Sequence, residues 1–205
     1  MKRFISIAFF LCLLISLQAQ EVYTTKNIPK VHLQDKTRYV CNPADILSKE
    51  ACADIDRMLY ALEQQTGIET VVAVVPSIGQ EDCFDFSHQL LNEWGVGKKE
   101  KNNGLVILLV TDQRCIQFYT GYGLEGDLPD AICKRIQTKY MIPYLNDGIS
   151  DAGMGAGGQA VWRRLVGTMV NDTEEEDDLS VGGILLGLIG FLAVASIIPV
   201  SYTHQ

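Results

Sequence analysis

Between Gly121 and Asp130 the chain reads Gly-Tyr-Gly-Leu-Glu-Gly-Asp-Leu-Pro-Asp, and that spacing admits two chemistries. Gly121-Tyr122-Gly123-Leu124-Glu125-Gly126 matches G-x-G-x-x-G, which cradles a pyrophosphate when it follows a strand and opens a helix. Glu125, Asp127 and Asp130 place three carboxylates on one short stretch, and carboxylate oxygens suit a hard cation such as Ca²⁺ or Mg²⁺. The phosphate chemistry fits poorly. The strand feeding the loop belongs to a hairpin, no acidic residue ends a strand further on, and Asp127 and Asp130 would repel a pyrophosphate at the helix N-terminus. No nucleotide is expected, and the glycines are expected to allow a sharp strand-to-helix turn. The cation chemistry has two readings that stand side by side. In one, Asn42 and Asn103 add amide oxygens to the carboxylates of Glu125, Asp127 and Asp130, provided that their loops lie at the same end of the sheet. In the other, Asp127 caps the following helix and the remaining carboxylates are solvated.

Other catalytic constellations are thin. His32, His88 and His204 sit in no triad-like setting. H-E-x-x-H, G-x-S-x-G and a Cys-x5-Arg loop are all absent from the sequence. Trp94 reads as a core anchor, and Lys98 to Lys101 as a solvated face.

The elements that must position these residues can be read from periodicity. Asn42 precedes Pro43 and is therefore extended. Ser48 caps a helix carrying Ala51, Ile55, Met58, Leu59 and Leu62, with Gly67 as its stop. Glu69 to Ile78 holds a β-branched buried strand. Asp82 to Gly95 is helical, with Phe86, Leu90, Leu91 and Trp94 inward. Gly104 to Val110 and Cys115 to Thr120 form an antiparallel pair across the turn Thr111 to Arg114. A helix capped by Asp127 follows, which Pro143 kinks or ends. The last helix runs from Asp151 to about Val170. Two wholly apolar strands require cover on both faces. The expected fold is therefore α/β, a three-layer α/β/α sandwich around a small mixed sheet.

The ends of the chain set its expected compartment. Residues 1–20 read as a signal peptide, with Lys2 and Arg3 ahead of an apolar stretch from Phe4 to Leu17. Residues 21–170 form the domain. Residues 171–180 form an acidic linker, 181–200 an uncharged membrane-spanning helix, and 201–205 a short tail. This arrangement places the domain outside the cytoplasm on a single-pass anchor in the cell membrane, in the periplasm of a Gram-negative cell. The formal charge is −8, and more negative still once Lys2 and Arg3 are removed. That balance argues against nucleic acid, which needs clustered Lys and Arg. Cys41, Cys52, Cys83, Cys115 and Cys133 remain after cleavage. Export permits disulfides, but an odd number leaves at least one thiol without an intrachain partner.

Taken in order, several short pieces resemble the TPM-domain family, small exported domains that include thylakoid-lumen phosphatase-like proteins. They are Tyr39-Val40-Cys41-Asn42-Pro43 leading to Ile46-Leu47-Ser48, then Thr66-Gly67, Asn92-Glu93-Trp94-Gly95-Val96-Gly97, Asn102-Asn103-Gly104-Leu105 and Gly121 to Asp130. The resemblance spans about Tyr39 to Leu165. It implies an α/β/α sandwich with signal and trailing membrane helix as usual accessories, and divalent-cation binding at Asn42, Asn103, Glu125 and Asp130. Asn42 stands where many relatives have Asp, which removes one charge from that set. It also implies two functions: an accessory or assembly factor of a membrane protein complex, or a metal-assisted acid phosphatase with Glu125, Asp130 and Asn103 around the ion.

Overall fold

A computed structural model describes residues 21–167. The expected signal peptide, acidic linker, spanning helix and tail lie outside them. Among the described residues no helix is long and apolar enough to cross a membrane.

The fold is α/β. Its elements are α1 (Val31–Gln34), β1 (Val40–Cys41), α2 (Lys49–Thr66), β2 (Glu69–Val75), α3 (Cys83–Trp94), β3 (Gly104–Val110), β4 (Cys115–Thr120), α4 (Asp130–Ile136), α5 (Ile142–Asn146) and α6 (Ser150–Leu165). The four strands form one mixed sheet in the order β1-β2-β3-β4. β1 and β3 both run parallel to β2, and β4 returns antiparallel to β3.

Local chemistry explains the two long helices. Ser48 Oγ accepts the Ala51 N–H at 3.1 Å and starts α2, and Gly67, at φ 71°, ends it in the left-handed conformation that glycine tolerates. Asp82 accepts the N–H groups of Phe84 and Asp85 and starts α3. The helix after the glycine loop differs from expectation. It begins at Asp130, with Pro129 extended ahead of it and no side-chain cap. Asp127 is not its cap; the Asp127 carbonyl accepts Arg164 Nε at 2.6 Å. The reason lies in two leucines. Leu124 and Leu128 are both fully buried, and the chain coils to bury them, with the Leu128 N–H donating to the Leu124 carbonyl at 2.7 Å. Only then is it free to start a helix. Pro143 does not end the helical run. A π-helical turn, Gln137–Met141, precedes it and leads into α5, accommodating the N–H that proline lacks.

Both faces of the sheet are buried. On one, Val71, Ala73, Val75, Val106, Leu108 and Val110 pack with Phe86, Leu90 and Trp94 of α3 and with Tyr23 and Ile28 of the entry segment. On the other, Val72, Val74, Leu105, Ile107 and Leu109 are buried on the side of α2, whose inward residues are Ile55, Leu59 and Leu62. A disulfide, Cys83–Cys115, joins the start of α3 to the start of β4, with Cα atoms 6.7 Å apart. Cys41 and Cys133 are buried free thiols, both pushed up to about 12 by burial, and are packing groups more than nucleophiles.

Candidate functional site

Topology decides which expected site residues can meet. Asn42 follows β1, and Asn103 precedes β3. Both strands run parallel to β2, so one residue lies beyond the strand ends and the other before the strand starts. In register, Cys41 is level with Ala73 and Gly104 with Glu69. Asn42 and Asn103 are therefore separated along the sheet by about 20 Å, at roughly 3.3 Å per residue. The Gly121–Asp130 segment follows β4, which is antiparallel to β3, and so it returns to the Asn103 end. The structure brings Asn103 and the glycine loop together and leaves Asn42 at the opposite end of the sheet.

At the Asn103 end, backbone packs on backbone. The Gly123 N–H donates to the Asn102 carbonyl at 2.9 Å, and the Gly121 N–H to the Gly104 carbonyl at 2.8 Å. A Cβ on Gly121 or Gly123 would run into the carbonyls of Asn102 and Lys101. The glycines of the G-x-G-x-x-G pattern thus let the chain approach itself, where the dinucleotide fingerprint would let it approach a phosphate. Gly97 and Gly104 make a similar close crossing beside them.

Asn103, 6 % exposed, ties this crossing together. Its Oδ1 accepts the Lys98 N–H at 2.9 Å, and its Nδ2 donates to the Gly67 carbonyl at 2.7 Å. Asn42 does comparable work at its own end. Its Oδ1 accepts the N–H groups of Ile46 and Leu47 at 2.9 and 3.2 Å, and its Nδ2 donates to the Leu47 carbonyl at 2.9 Å. Both amides hold loops. Glu125, Asp127 and Asp130 are exposed, and none of their carboxylates makes a hydrogen bond or ion pair with the described residues. The four residues Asn42, Asn103, Glu125 and Asp130 therefore do not fit a single Ca²⁺ or Mg²⁺. One lies at the far end of the sheet, a second has its amide oxygen already bonded, and a hard cation takes six or more oxygens. Among the described residues no group of three or more His, Cys, Asp and Glu side chains is placed to hold a metal.

A second polar cluster links the entry segment to the sheet and has no motif in the sequence. His32, on α1, places Nδ1 3.1 Å from the Arg38 carbonyl and Nε2 3.1 Å from Glu69 Oε1, with its ring 4.7 Å from that of Tyr39. The ring thus bridges a backbone carbonyl of the entry segment and a carboxylate at the start of β2. Glu69 Oε2 accepts the Gly97 N–H at 3.0 Å, which carries the link into the glycine crossing. The Tyr39 hydroxyl donates to Glu63 at 2.6 Å, and burial above all, with that carboxylate second, holds the phenol well above its usual range. On the outside of β1, Asp56 Oδ1 accepts the N–H groups of Tyr39 and Val40 at 2.7 and 2.9 Å. Burial raises the Asp56 carboxyl above the usual range, against the lowering effect of those two bonds. Thr37, Arg38, Ala53, Asp56, Arg57 and Tyr60 line a shallow groove there. Arg57 is paired with Asp54, and Asp56 sits among the arginines, so the groove has no net preference for an anion.

Comparison with known proteins accords with this fold. The family model described as the TPM domain matches residues 40–164, more than half of the chain. A chloroplastic UPF0603 protein of rice (Oryza sativa subsp. indica) is 30 % identical over 77 residues, which are 37 % of this chain and 26 % of that one. A chloroplastic UPF0603 protein of Arabidopsis thaliana is 28 % identical over 80 residues, 38 % of this chain and 28 % of that one. The chain thus spans little more than a quarter of these curated relatives. The solution NMR structure of the N-terminal domain of a P. gingivalis protein superposes with a TM-score of 0.68 at 38 % identity, covering 76 % of this chain and 99 % of that one. The NMR structure of BA42 from the psychrophile Bizionia argentinensis shares the fold, with a TM-score of 0.53 at 16 % identity over 67 % of this chain and 94 % of that one. With Asn42, Asn103 and the Gly121 loop all serving the same backbone architecture, the chain belongs to the TPM-domain family.

Proposed function

We propose that the chain is a membrane-tethered, extracytoplasmic TPM module that acts as an accessory or assembly factor of a membrane protein complex, with the Gly121–Asp130 loop as its docking face. One observation carries the reading. A loop locked by backbone contacts displays Tyr122, 78 % exposed, beside the carboxylates of Glu125, Asp127 and Asp130, which have no partner among the described residues. A rigid aromatic anchor rimmed by charge loses little conformational freedom on binding, which favours recognition over chemistry. The Cys83–Cys115 disulfide supports an oxidising compartment. The phosphatase reading requires Glu125, Asp130 and Asn103 around one ion, and the Asn103 oxygen already accepts the Lys98 N–H.

A photo-crosslinking amino acid at position 122 of the full chain, activated in native membranes, tests the proposal. The expected product is one defined heteromeric adduct, weakened at least tenfold by Glu125→Lys with Asp130→Lys. Recovery of uncrosslinked chain alone, or an adduct indifferent to the charge reversal, would overturn it.

A further inference from the structure

The two edges of the sheet are finished differently. β1 is two residues long, and Asp56 accepts the N–H groups of Tyr39 and Val40, so that edge is capped. β4 is six residues long and, among the described residues, pairs only with β3. The bond from the Gly121 N–H to the Gly104 carbonyl fixes the alternation of the ladder: Cys115, Gln117 and Tyr119 bond to β3, and Ile116, Phe118 and Thr120 turn their N–H and C=O groups outward. Among the described residues, only the Phe118 carbonyl of that set has a partner, the Gln117 side-chain amide at 2.7 Å. Among the described residues the strand itself carries none of the usual protections of an edge. Residues 115–120 carry no charge and no proline, and the register from Leu105–Thr120 to Val110–Cys115 runs without a bulge.

We propose that this edge pairs antiparallel with β4 of a second copy of the chain, joining two sheets into one of eight strands. The strand is its own complement. A two-fold axis at Phe118 sets Ile116 against the partner's Thr120 and Thr120 against the partner's Ile116. The outward groups of Ile116 and the partner's Thr120 then face each other, and at the axis the Phe118 N–H meets the partner's Phe118 carbonyl once the Gln117 side-chain amide turns away from it. A neutral strand meets its copy without opposing like charges. The same axis carries the Arg114 end of one strand toward the partner's Tyr122, whose ring a guanidinium can cover. The Asp56 cap on β1 prevents further addition, so the pairing closes at two copies instead of growing into a fibre. Phe118, 5 % exposed, keeps its side chain in its own core. The contact is thus made by backbone groups and by the half-buried flanks of Ile116, Gln117, Tyr119 and Thr120.

The full chain, extracted in mild detergent, is examined by light scattering and by oxidative crosslinking. The expected mass is that of two copies, and Ile116→Lys with Thr120→Lys weakens the association at least tenfold while the thermal unfolding transition remains. Should that variant fail to fold, Ile116→Cys with Thr120→Cys serves instead: a covalent dimer should form under mild oxidation and disappear on reduction. A monomer at the highest soluble concentration, a dimer indifferent to the lysines, or cysteines that do not crosslink would each overturn the proposal.

Discussion

Asn42 and Asn103 sit at opposite ends of one sheet, and each satisfies backbone groups with all the polar atoms of its side chain, yet the loops that they hold differ in kind. The Asn42 loop is local. Its side-chain bonds reach Ile46 and Leu47, with a longer one to Cys52 Sγ at 3.6 Å, all within ten residues of Asn42. The Asn103 crossing joins segments far apart in sequence, through Gly67, Lys98 and the contact of Gly123 with Asn102. A local loop can rearrange when one bond is lost. A crossing that three segments share cannot move one segment without moving the others.

The comparison yields a graded series. The largest effect is expected for Gly123→Ala, because the new methyl group meets the Lys101 carbonyl with no flexible side chain to yield. Chemical denaturation should show a loss of about 3 kcal/mol or more, in the range of overpacked sites. A loss below about 0.5 kcal/mol would show that the crossing is pliable. Next come the two asparagines measured against each other. Asn103→Ala removes a side chain only 6 % exposed and takes the partners from the Lys98 N–H and the Gly67 carbonyl, which belong to two different segments, and should cost about 2 kcal/mol; Asn42→Ala, in a half-buried local loop, should cost about 1 kcal/mol. Equal costs would break the distinction between local and shared loops. The smallest effect compares an amide with a carboxylate in the same backbone-holding role. The Asp56 carboxyl is raised in the fold by burial, so the folded state favours its neutral form. Its contribution to stability is present in acid and lost as pH climbs from about 4 through the raised value. Asp56→Asn retains an oxygen for Tyr39 and Val40 but does not ionise. The variant should match or slightly exceed the parent at pH 7, and its stability should vary less with pH above about 4.

Much of the scaffold was legible because its signals are local. Ser48, Gly67, Asp82 and Gly95 mark the ends of α2 and α3 by side-chain capping or by left-handed backbone, and the apolar runs at Val71 and Leu105 mark strands covered on both faces. The start of α4 was misplaced because Asp127 has the right side chain for a cap, while the burial of Leu124 and Leu128 is a tertiary demand that no capping rule contains. Grouping Asn42 with Asn103 failed for a topological reason. A residue after one strand and a residue before another share an end only when the strands are antiparallel, and β1, β2 and β3 are parallel. The hairpin reading of β3 and β4, by contrast, already implied that the Gly121 loop returns to Asn103. The link from His32 through Glu69 to Gly97 bridges residues distant in sequence, and a lone histidine in a polar entry segment gives no sign of its partner.

The Cys83–Cys115 bridge encloses α3, all of β3 and the turn into β4 in one covalent ring with a sequence separation of 32. Closing a ring of that size removes unfolded-chain entropy worth about 3–4 kcal/mol in the loop-closure model, a large share of a small domain's margin. A cell that keeps thiols reduced would hold this domain much nearer to unfolding than one that lets the ring close. In a compartment that oxidises thiols, closing the ring would separate the newly made polypeptide from the finished one by redox history.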